Sequence, residues 1–325
     1  MSDVDGDDLA TTDALGISFI IPVYNEEEKI KETIQSLKSN LLDVGRPHEI
    51  IVVDDGSSDQ SLAHALEIDG ITVICHPVNS GYGRSIKTGI LSAKYEWIGI
   101  TDADGTYDIN ALPRLIKEMD KGFDMVVARR QNVSDHDSLT KRFFRSLLIA
   151  FVKSFAAAEI VDPNSGFRIF KKNLAMLFFS FLCNTFSFTT SITLFAVGEG
   201  FFISMLDTEY FSRAGRSKVR KFRDSARMAQ LVLQGITFFN PLKFYLMLAL
   251  VQVVFVALPS WGLYQLGWAF VAQIYFLSAT AVLTFLSVGV LADVIRISNN
   301  YDFPSGEMVK QQGLTIVTRD DIAEP

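Results

Sequence analysis

Two carboxylates separated by one residue close a short apolar run, Ile98-Gly99-Ile100-Thr101 being followed by Asp102-Ala103-Asp104-Gly105. The run is expected to be a strand, and the glycine lets the backbone turn away beyond it. Alternate side chains of an extended chain lie on one side, so Asp102 and Asp104 could together hold a hard divalent cation, Mg2+ or Mn2+. Such an ion keeps open positions for substrate phosphates. An isolated Asp-x-Asp is more often a solvated acidic turn, so the assignment depends on what else reaches the same place.

The elements that would position this pair come from a repeated alternation. Short β-branched runs at Ile17 to Val23, Glu49 to Asp54, Ile71 to Cys75, Trp97 to Asp102 and Asp124 to Arg129 are separated by longer amphipathic segments. That pattern predicts successive βαβ units, an α/β domain with a mainly parallel sheet and helices on both faces. Parallel strands put the following loops on one carboxyl edge, where ligands of open α/β sheets bind. Those loops are Pro22-Val23-Tyr24-Asn25-Glu26, Asp54-Asp55-Gly56-Ser57, Asn79-Ser80-Gly81-Tyr82-Gly83, Asp102-Ala103-Asp104-Gly105 and Arg129-Arg130-Gln131-Asn132. One edge thus gathers carboxylates, glycines and arginines. Asp162-Pro163-Asn164-Ser165-Gly166-Phe167-Arg168 adds a turn-rich loop in which Asp162 could position Arg168 or a sugar hydroxyl, or simply cap its own turn.

Other chemistries find less support. Gly81-Tyr82-Gly83 has Ile86 where a dinucleotide fingerprint needs its third glycine, and no Gly-Lys-Ser/Thr follows a glycine loop. Cys75 and Cys183 are far apart and read as small core residues, with no disulfide framework. His48, His64, His76 and His136 lack metal-ligand spacing and are expected at the surface or in loops.

Hydrophobic residues make up 49% of the 325, with 26 phenylalanines, which predicts a membrane segment. Phe244 to Ala292 contains no charged residue, enough for two spans of about 20 residues each. Asn240-Pro241 is the expected helix start and Pro259-Ser260-Trp261-Gly262 the expected turn. Trp261, Tyr264 and Trp268 suit the far interface, while Lys243 and Arg296 mark the near ends. Asn173 to Gly198 is also uncharged, but its many hydroxyl and amide groups argue against a span. Leu139 to Phe155 reads as either an interfacial or an ordinary domain helix. The net charge of -7 hides segregation: residues 1–13 carry five aspartates and no base, whereas 213–227 holds seven Lys or Arg against Asp224 alone. The first suits a disordered tail, the second a surface that meets phosphate or anionic lipid. With no apolar leader before Ile17, the catalytic part is expected in the cytoplasm.

In this order, Pro22 to Glu26, Asp54 to Ser57, Asn79 to Gly83, Asp102 to Gly105, Asp162 to Arg168 and Arg213-Ala214-Gly215-Arg216-Ser217-Lys218 resemble family-two glycosyltransferases. More narrowly they are similar to the polyprenyl-phosphate branch, typified by dolichol-phosphate mannose synthases and bacterial bactoprenol glucosyltransferases. The resemblance implies a GT-A fold, with a Rossmann-like, mainly parallel sheet, that passes a sugar with inversion from a nucleotide-diphosphate sugar to a lipid monophosphate. It implies that Pro22, Tyr24, Asn25, Glu26, Asp54 and Asp55 contact base and ribose, and that Asp102, Ala103 and Asp104 serve the ribose and the metal. Arg130, Arg142, Ser146, Arg213, Ser217 and Lys218 would hold the acceptor phosphate and leaving diphosphate, with Asp104, Asp162, Arg130 and Arg168 nearest the chemistry. Two departures stand out. Thr106 replaces a metal-contacting glutamine, and Thr189-Thr190 lies where many relatives carry an acidic residue.

The expected organisation is therefore a disordered acidic tail at 1–16 and a glycosyltransferase domain at 17–218. An amphipathic juxtamembrane segment at 219–240, two membrane helices at 241–296 and a cytoplasmic tail at 297–325 complete it. The expected enzyme is a multi-pass protein of the inner membrane that binds no nucleic acid and forms a homo-oligomer. UDP-glucose is the favoured donor and GDP-mannose the alternative. A processive polysaccharide synthase would show Gln-x-x-Arg-Trp, and none of Trp97, Trp261 and Trp268 follows an arginine. A non-catalytic sugar-nucleotide-binding scaffold is separated from the enzyme by a turnover assay.

Overall fold

The apolar runs become strands buried on both faces. β1 (Ile17–Val23) has all seven residues buried, and it pairs in parallel with β2 (His48–Asp54) and β4 (Trp97–Ile100), while β3 (Thr72–Cys75) adds in parallel to β2. The computed structural model describes residues 16–131, 162–211, 237, 241–298 and 315–317. Among these, one eight-stranded sheet runs in the order β7 (Ile203–Thr208), β5 (Met125–Arg130), β6 (Arg168–Lys171), β4, β1, β2, β3 and β8 (Thr315–Val317).

Period-two alternation divides the β1 side chains between two cores. Phe19, Ile21 and Val23 face α1 (Ile30–Val44) and α4 (Leu112–Met119), whereas Ile20 faces α3 (Tyr82–Ser92), α5 (Lys172–Leu177) and α6 (Phe188–Gly198). A shorter helix, α2 (Ser61–Leu66), follows β2. In α1 the buried positions Ile30, Thr33, Ile34, Leu37 and Leu41 follow the helical repeat. The uncharged stretch from Asn173 to Gly198 supplies α5 and α6, whose Phe188, Ile192 and Phe195 belong to the second core.

Three features depart from the simple parallel reading. β5 (Met125–Arg130) is not beside β4, because β6 (Arg168–Lys171) inserts antiparallel between them. β6 runs against its neighbours, so the loop that precedes it, from Asp162 onward, lies on the same carboxyl edge as the loops that follow β1 to β5. β7 (Ile203–Thr208) then adds in parallel outside β5. Finally, β8 (Thr315–Val317), from the polar tail, pairs antiparallel with β3 at the other edge.

The helical hairpin consists of α7 (Pro241–Gln252), a π-helical turn at Val253–Ala257, α8 (Leu258–Gln265) and α9 (Ala269–Ser298). Tyr245–Gln265 and Ala269–Ala292 are each long and apolar enough to cross a membrane, and Leu246, Phe255, Leu277 and Phe285 are exposed on them. The reversal is at Leu266-Gly267-Trp268, where Gly267 takes φ +81°, and not at Pro259 as expected. Pro259 stays helical because its missing N–H is accommodated: the π turn precedes it, and the Tyr275 hydroxyl donates to the Phe255 carbonyl four residues back. Gln252 donates to Thr280 (2.8 Å) and Ser260 to the Ala272 carbonyl (2.8 Å), which satisfies polar groups between the helices.

One core position is costly. Lys87 on α3 is buried, its ammonium 5.2 Å from the centre of the Phe179 ring, and burial pulls its pKa down to about 8. The folded value lies below that of the unfolded chain, so charge at Lys87 opposes folding fully below about pH 8, and the penalty fades as pH rises towards about 10.4. Lys87→Met is expected to stabilise the protein by about 1–3 kcal/mol at pH 7 and by much less at pH 10, read from denaturant unfolding at both values. An equal gain at the two pH values would contradict a buried charge.

Candidate active site

The loops after β1 and β2 are built as one unit. Asn25, at φ +53°, accepts from the Ser58 amide (2.7 Å), while its own amide donates to Ser57 Oγ (3.0 Å) and the Glu26 amide to Ser61 Oγ (2.7 Å). Pro22 is buried within β1, and Tyr24, Asn25 and Glu26 are half-buried at its end.

The neighbouring aspartates of β2 play unequal parts. Asp55 is buried: Oδ1 accepts from His76 Nδ1 (2.7 Å) and the Ser80 amide (2.9 Å), and Oδ2 from the Gly81 amide (2.8 Å). It therefore clamps the β3–α3 loop, in contrast to the ligand contact expected of it. Asp54 Oδ2 accepts from the Ser57 amide (3.1 Å), but Oδ1 is buried with no hydrogen-bond partner among the described residues. A buried carboxylate oxygen without a donor is rare and calls for a partner, which the N–H of a nucleotide base could supply. His76, expected at the surface or in a loop, lies in the loop after β3 but is buried, and its Nε2 lies 3.0 Å from Thr88 Oγ1. Cys75 beside it is half-buried, its thiol pushed up to about 11 by burial and then by the Asp54 charge.

Asp102 and Asp104 follow β4 on the same edge. Asp102 Oδ1 accepts from the Tyr82 hydroxyl (2.8 Å), and Gly166 lies close against the same carboxylate. A Cβ at position 166 would stand 2.6 Å from Asp102 Oδ2 and would push that carboxylate aside. Asp104 Oδ1 accepts from the amide (3.2 Å) and hydroxyl (2.7 Å) of Thr106, while Gly105 at φ +71° turns the chain. Ala103 is buried in the first core. Among the described residues no cluster of three His, Cys, Asp or Glu side chains is assembled for a metal. Two carboxylates are nevertheless a donor set of the hard oxygen type that suits Mg2+ or Mn2+.

A basic wall stands beside the pair. Arg130 ends β5 and meets Asp162 in a forked pair (2.9 and 2.7 Å) while its amide also donates to Asp162 (3.2 Å). Burial alone would raise the Asp162 carboxyl, but its bonds to Arg130 outweigh that and hold it below the usual range. The Arg130 guanidinium lies 5.2 Å over the Tyr210 ring, which packs edge-on against Tyr107 at 5.5 Å. Tyr107 Oη accepts from the Gly166 amide (2.6 Å) and so joins this wall to the Asp102 loop.

Arg168 departs from its expected catalytic place. It is fully buried and donates to the carbonyls of Pro163, Ser165 and Thr189 and to Thr193 Oγ1. It holds the 162–166 loop from behind. Thr189 and Thr190 are buried in α6, and Thr190 bonds Asn164. The structure thus brings Asp54, Asp102, Asp104, Asp162 and Arg130 to one edge. Arg142, Ser146, Arg213, Ser217, Lys218, the 139–155 and 213–227 segments and the acidic tail lie outside the described residues. Sequence reasoning missed His76, Tyr82, Tyr107, Gly166 and Tyr210 as working parts, because each acts through a contact made only in the folded sheet.

A family model described as glycosyl transferase family 2 matches residues 18–183. Undecaprenyl-phosphate 4-deoxy-4-formamido-L-arabinose transferase of Klebsiella pneumoniae (strain 342) is 30% identical over 185 residues, which cover 53% of this chain and 56% of that protein. The protein of the same description from Enterobacter sp. (strain 638) is 32% identical with the same coverage. The chain thus spans about half the length of the curated relatives it matches. Among solved structures, glucosyl-3-phosphoglycerate synthase of Mycobacterium tuberculosis in complex with Mn2+, UDP-glucose and phosphoglyceric acid superposes with a TM-score of 0.56. That match covers 69% of this chain and 80% of the other at 18% identity, a likeness of fold that identifies the GT-A architecture.

Proposed function

Because the chain belongs to glycosyl transferase family 2, we propose that it moves a sugar, with inversion, from a nucleotide-diphosphate sugar to polyprenyl phosphate at a membrane. The observation that carries this reading is the convergence of Asp54, Asp102, Asp104, Asp162 and Arg130 on one sheet edge, in a chain with two helices long enough to cross a bilayer. The donor we favour is UDP-glucose, with GDP-mannose as the alternative. Asp54 Oδ1 would take a base N–H, and Asp102 a hydroxyl of the donor. The names of the curated relatives support a polyprenyl-phosphate acceptor.

A phosphate monoester has a second pKa of about 6, so the acceptor is largely dianionic at neutral pH and needs little help from a base. A buried Thr189-Thr190 in place of a carboxylate is compatible with such an acceptor. Asp102 and Asp104 would hold Mg2+ or Mn2+, which when bound stabilises negative charge on the departing diphosphate. Arg130 contributes a fixed positive charge near the reacting phosphates, kept in place by Asp162.

The topology supports anchoring with the catalytic domain on one side. β8 follows the hairpin yet shares the sheet with β1 to β7, which precede it, so the chain between them crosses any membrane an even number of times. We place that shared side in the cytoplasm at the inner membrane, and expect the protein to self-associate.

The test is nucleoside diphosphate release by purified protein with Mg2+ or Mn2+ and undecaprenyl phosphate. UDP-glucose, UDP-N-acetylglucosamine, GDP-mannose and a UDP-linked 4-formamido-arabinose are compared as donors. Release from one donor that requires the lipid is expected; folded protein that releases nothing from any of them overturns the reading.

A further inference from the structure

Resting on the nucleotide-sugar reading above, we propose that Tyr82 is a positioning residue for donor binding. It fixes the Asp102 carboxylate, and a buried Asp55–His76–Thr88 chain holds the loop that carries it. Nothing in the motif spacing requires a tyrosine at position 82. The fold nevertheless delivers its hydroxyl to Asp102 Oδ1 at 2.8 Å, across a separation of 20 residues. A carboxylate oxygen can only accept, so the phenol hydroxyl is the donor in this pair.

The ring is fixed as well as the hydroxyl. Phe186 stacks on it with centroids 5.5 Å apart and planes 15° from parallel. The loop that carries Phe186 sits against the first turn of α3: the Arg84 amide donates to the Asn184 carbonyl (3.1 Å), and a Cβ at Gly83 would fall 2.1 Å from the Cys183 carbonyl. The stack and the hydrogen bond to Asp102 thus hold the ring at two places. Asp102 in turn is confined by the Tyr82 hydroxyl on Oδ1 and by Gly166 against Oδ2.

The anchor is the hydrogen-bonded chain beneath. The Asp55 carboxylate only accepts, so His76 Nδ1 carries the proton, and in the neutral ring Nε2 accepts from the Thr88 hydroxyl. Asp55 then has oxygens oriented to receive the Ser80 and Gly81 amides, which immediately precede Tyr82. All three anchor side chains are buried, so no ligand competes for these bonds. A rigid core support of this kind is what keeps a binding carboxylate in its productive geometry.

The experiment measures UDP and GDP binding with Mn2+ by titration calorimetry, together with donor and acceptor KM, on wild type, Tyr82→Phe, His76→Asn and His76→Leu. Tyr82→Phe keeps the stacked ring and removes only the hydroxyl. It is expected to weaken nucleotide binding and raise the donor KM by about tenfold or more, with acceptor KM and thermal midpoint unchanged. His76→Asn places an amide N–H where ring Nδ1 stands and should stay within about threefold of wild type, whereas His76→Leu should match the Tyr82→Phe loss in nucleotide binding. Wild type that binds nucleotide together with Tyr82→Phe that binds it equally well overturns this inference alone. Loss of donor and acceptor affinity together, with a fall in thermal midpoint, also overturns it, since that marks a general structural role. Wild type that binds neither nucleotide overturns the donor reading, and this inference with it.

Discussion

Replacing Asp104 with alanine is expected to lower kcat about 10³-fold, with the thermal midpoint held within about a degree or two. The side chain bonds Thr106, a neighbour in its own loop, and this local bond sets the carboxylate's direction. Asp104→Asn separates the two contributions. The amide keeps an oxygen for Thr106 and loses the charge that a hard divalent cation requires, so it should be nearly as inactive as alanine. If Asp104→Asn kept most of the turnover, the residue's role would be the turn and not the metal. Restoration of either variant by raised Mn2+ would indicate that weakened metal affinity, and not lost geometry, limits the rate.

The main outline was legible because the relevant forces act locally. Runs such as Phe19-Ile20-Ile21 and Ile50-Ile51-Val52-Val53 are buried on both faces of a sheet covered on both sides, and such strands stay apolar at every position. The loops that follow them had to reach the carboxyl edge once the strands were parallel. β6 was harder to see. It is four residues long, half of it basic, and its place between β4 and β5 is decided by pairing with segments about 40 and 70 residues earlier. β8 is shorter still and sits in a polar tail, where three residues carry no periodicity.

The site shows the same division. Asp102 and Asp104 were visible from spacing alone, but what constrains them was not. A tyrosine in a glycine-rich loop and a glycine 84 residues later show no link until the fold sets both against Asp102. The neighbouring aspartates at 54 and 55 looked equivalent in sequence, yet side chains alternate along a strand. One carboxylate was thereby turned to the loop amides and His76, and the other was left with a buried oxygen that no described group bonds. His76 misled because a lone histidine carries no mark of burial, and only the carboxylate behind it explains its place. Pro259 misled because a proline usually ends a helix, whereas here Tyr275 supplies the missing donor from the facing helix.

Arg168 yields the second large effect, and its sign separates structure from catalysis. Burial pulls its pKa down to about 10, so at neutral pH a charged guanidinium sits fully enclosed. What it gains is a fan of acceptors: the Pro163 and Ser165 carbonyls fix the loop after Asp162, while the Thr189 carbonyl and Thr193 hydroxyl belong to α6. Arg168→Met removes these donors from the Pro163, Ser165 and Thr189 carbonyls, of which the last keeps the Thr193 hydroxyl, and takes a paired charge out of the core, which should cost about 3–5 kcal/mol. For a domain of this size that is a fall in thermal midpoint of about 6–20 °C. Arg168→Lys keeps the charge but cannot span both sets of acceptors from one nitrogen, so it should lose an intermediate amount. Activity lost by either variant should follow its folded fraction as temperature is lowered. A side chain that touched the reacting phosphates would behave in the opposite way, with kcat collapsing in Arg168→Lys at an unchanged midpoint. The enclosed position predicts the first pattern, because Arg168 reaches the site only through the loop on which Asp162 holds Arg130.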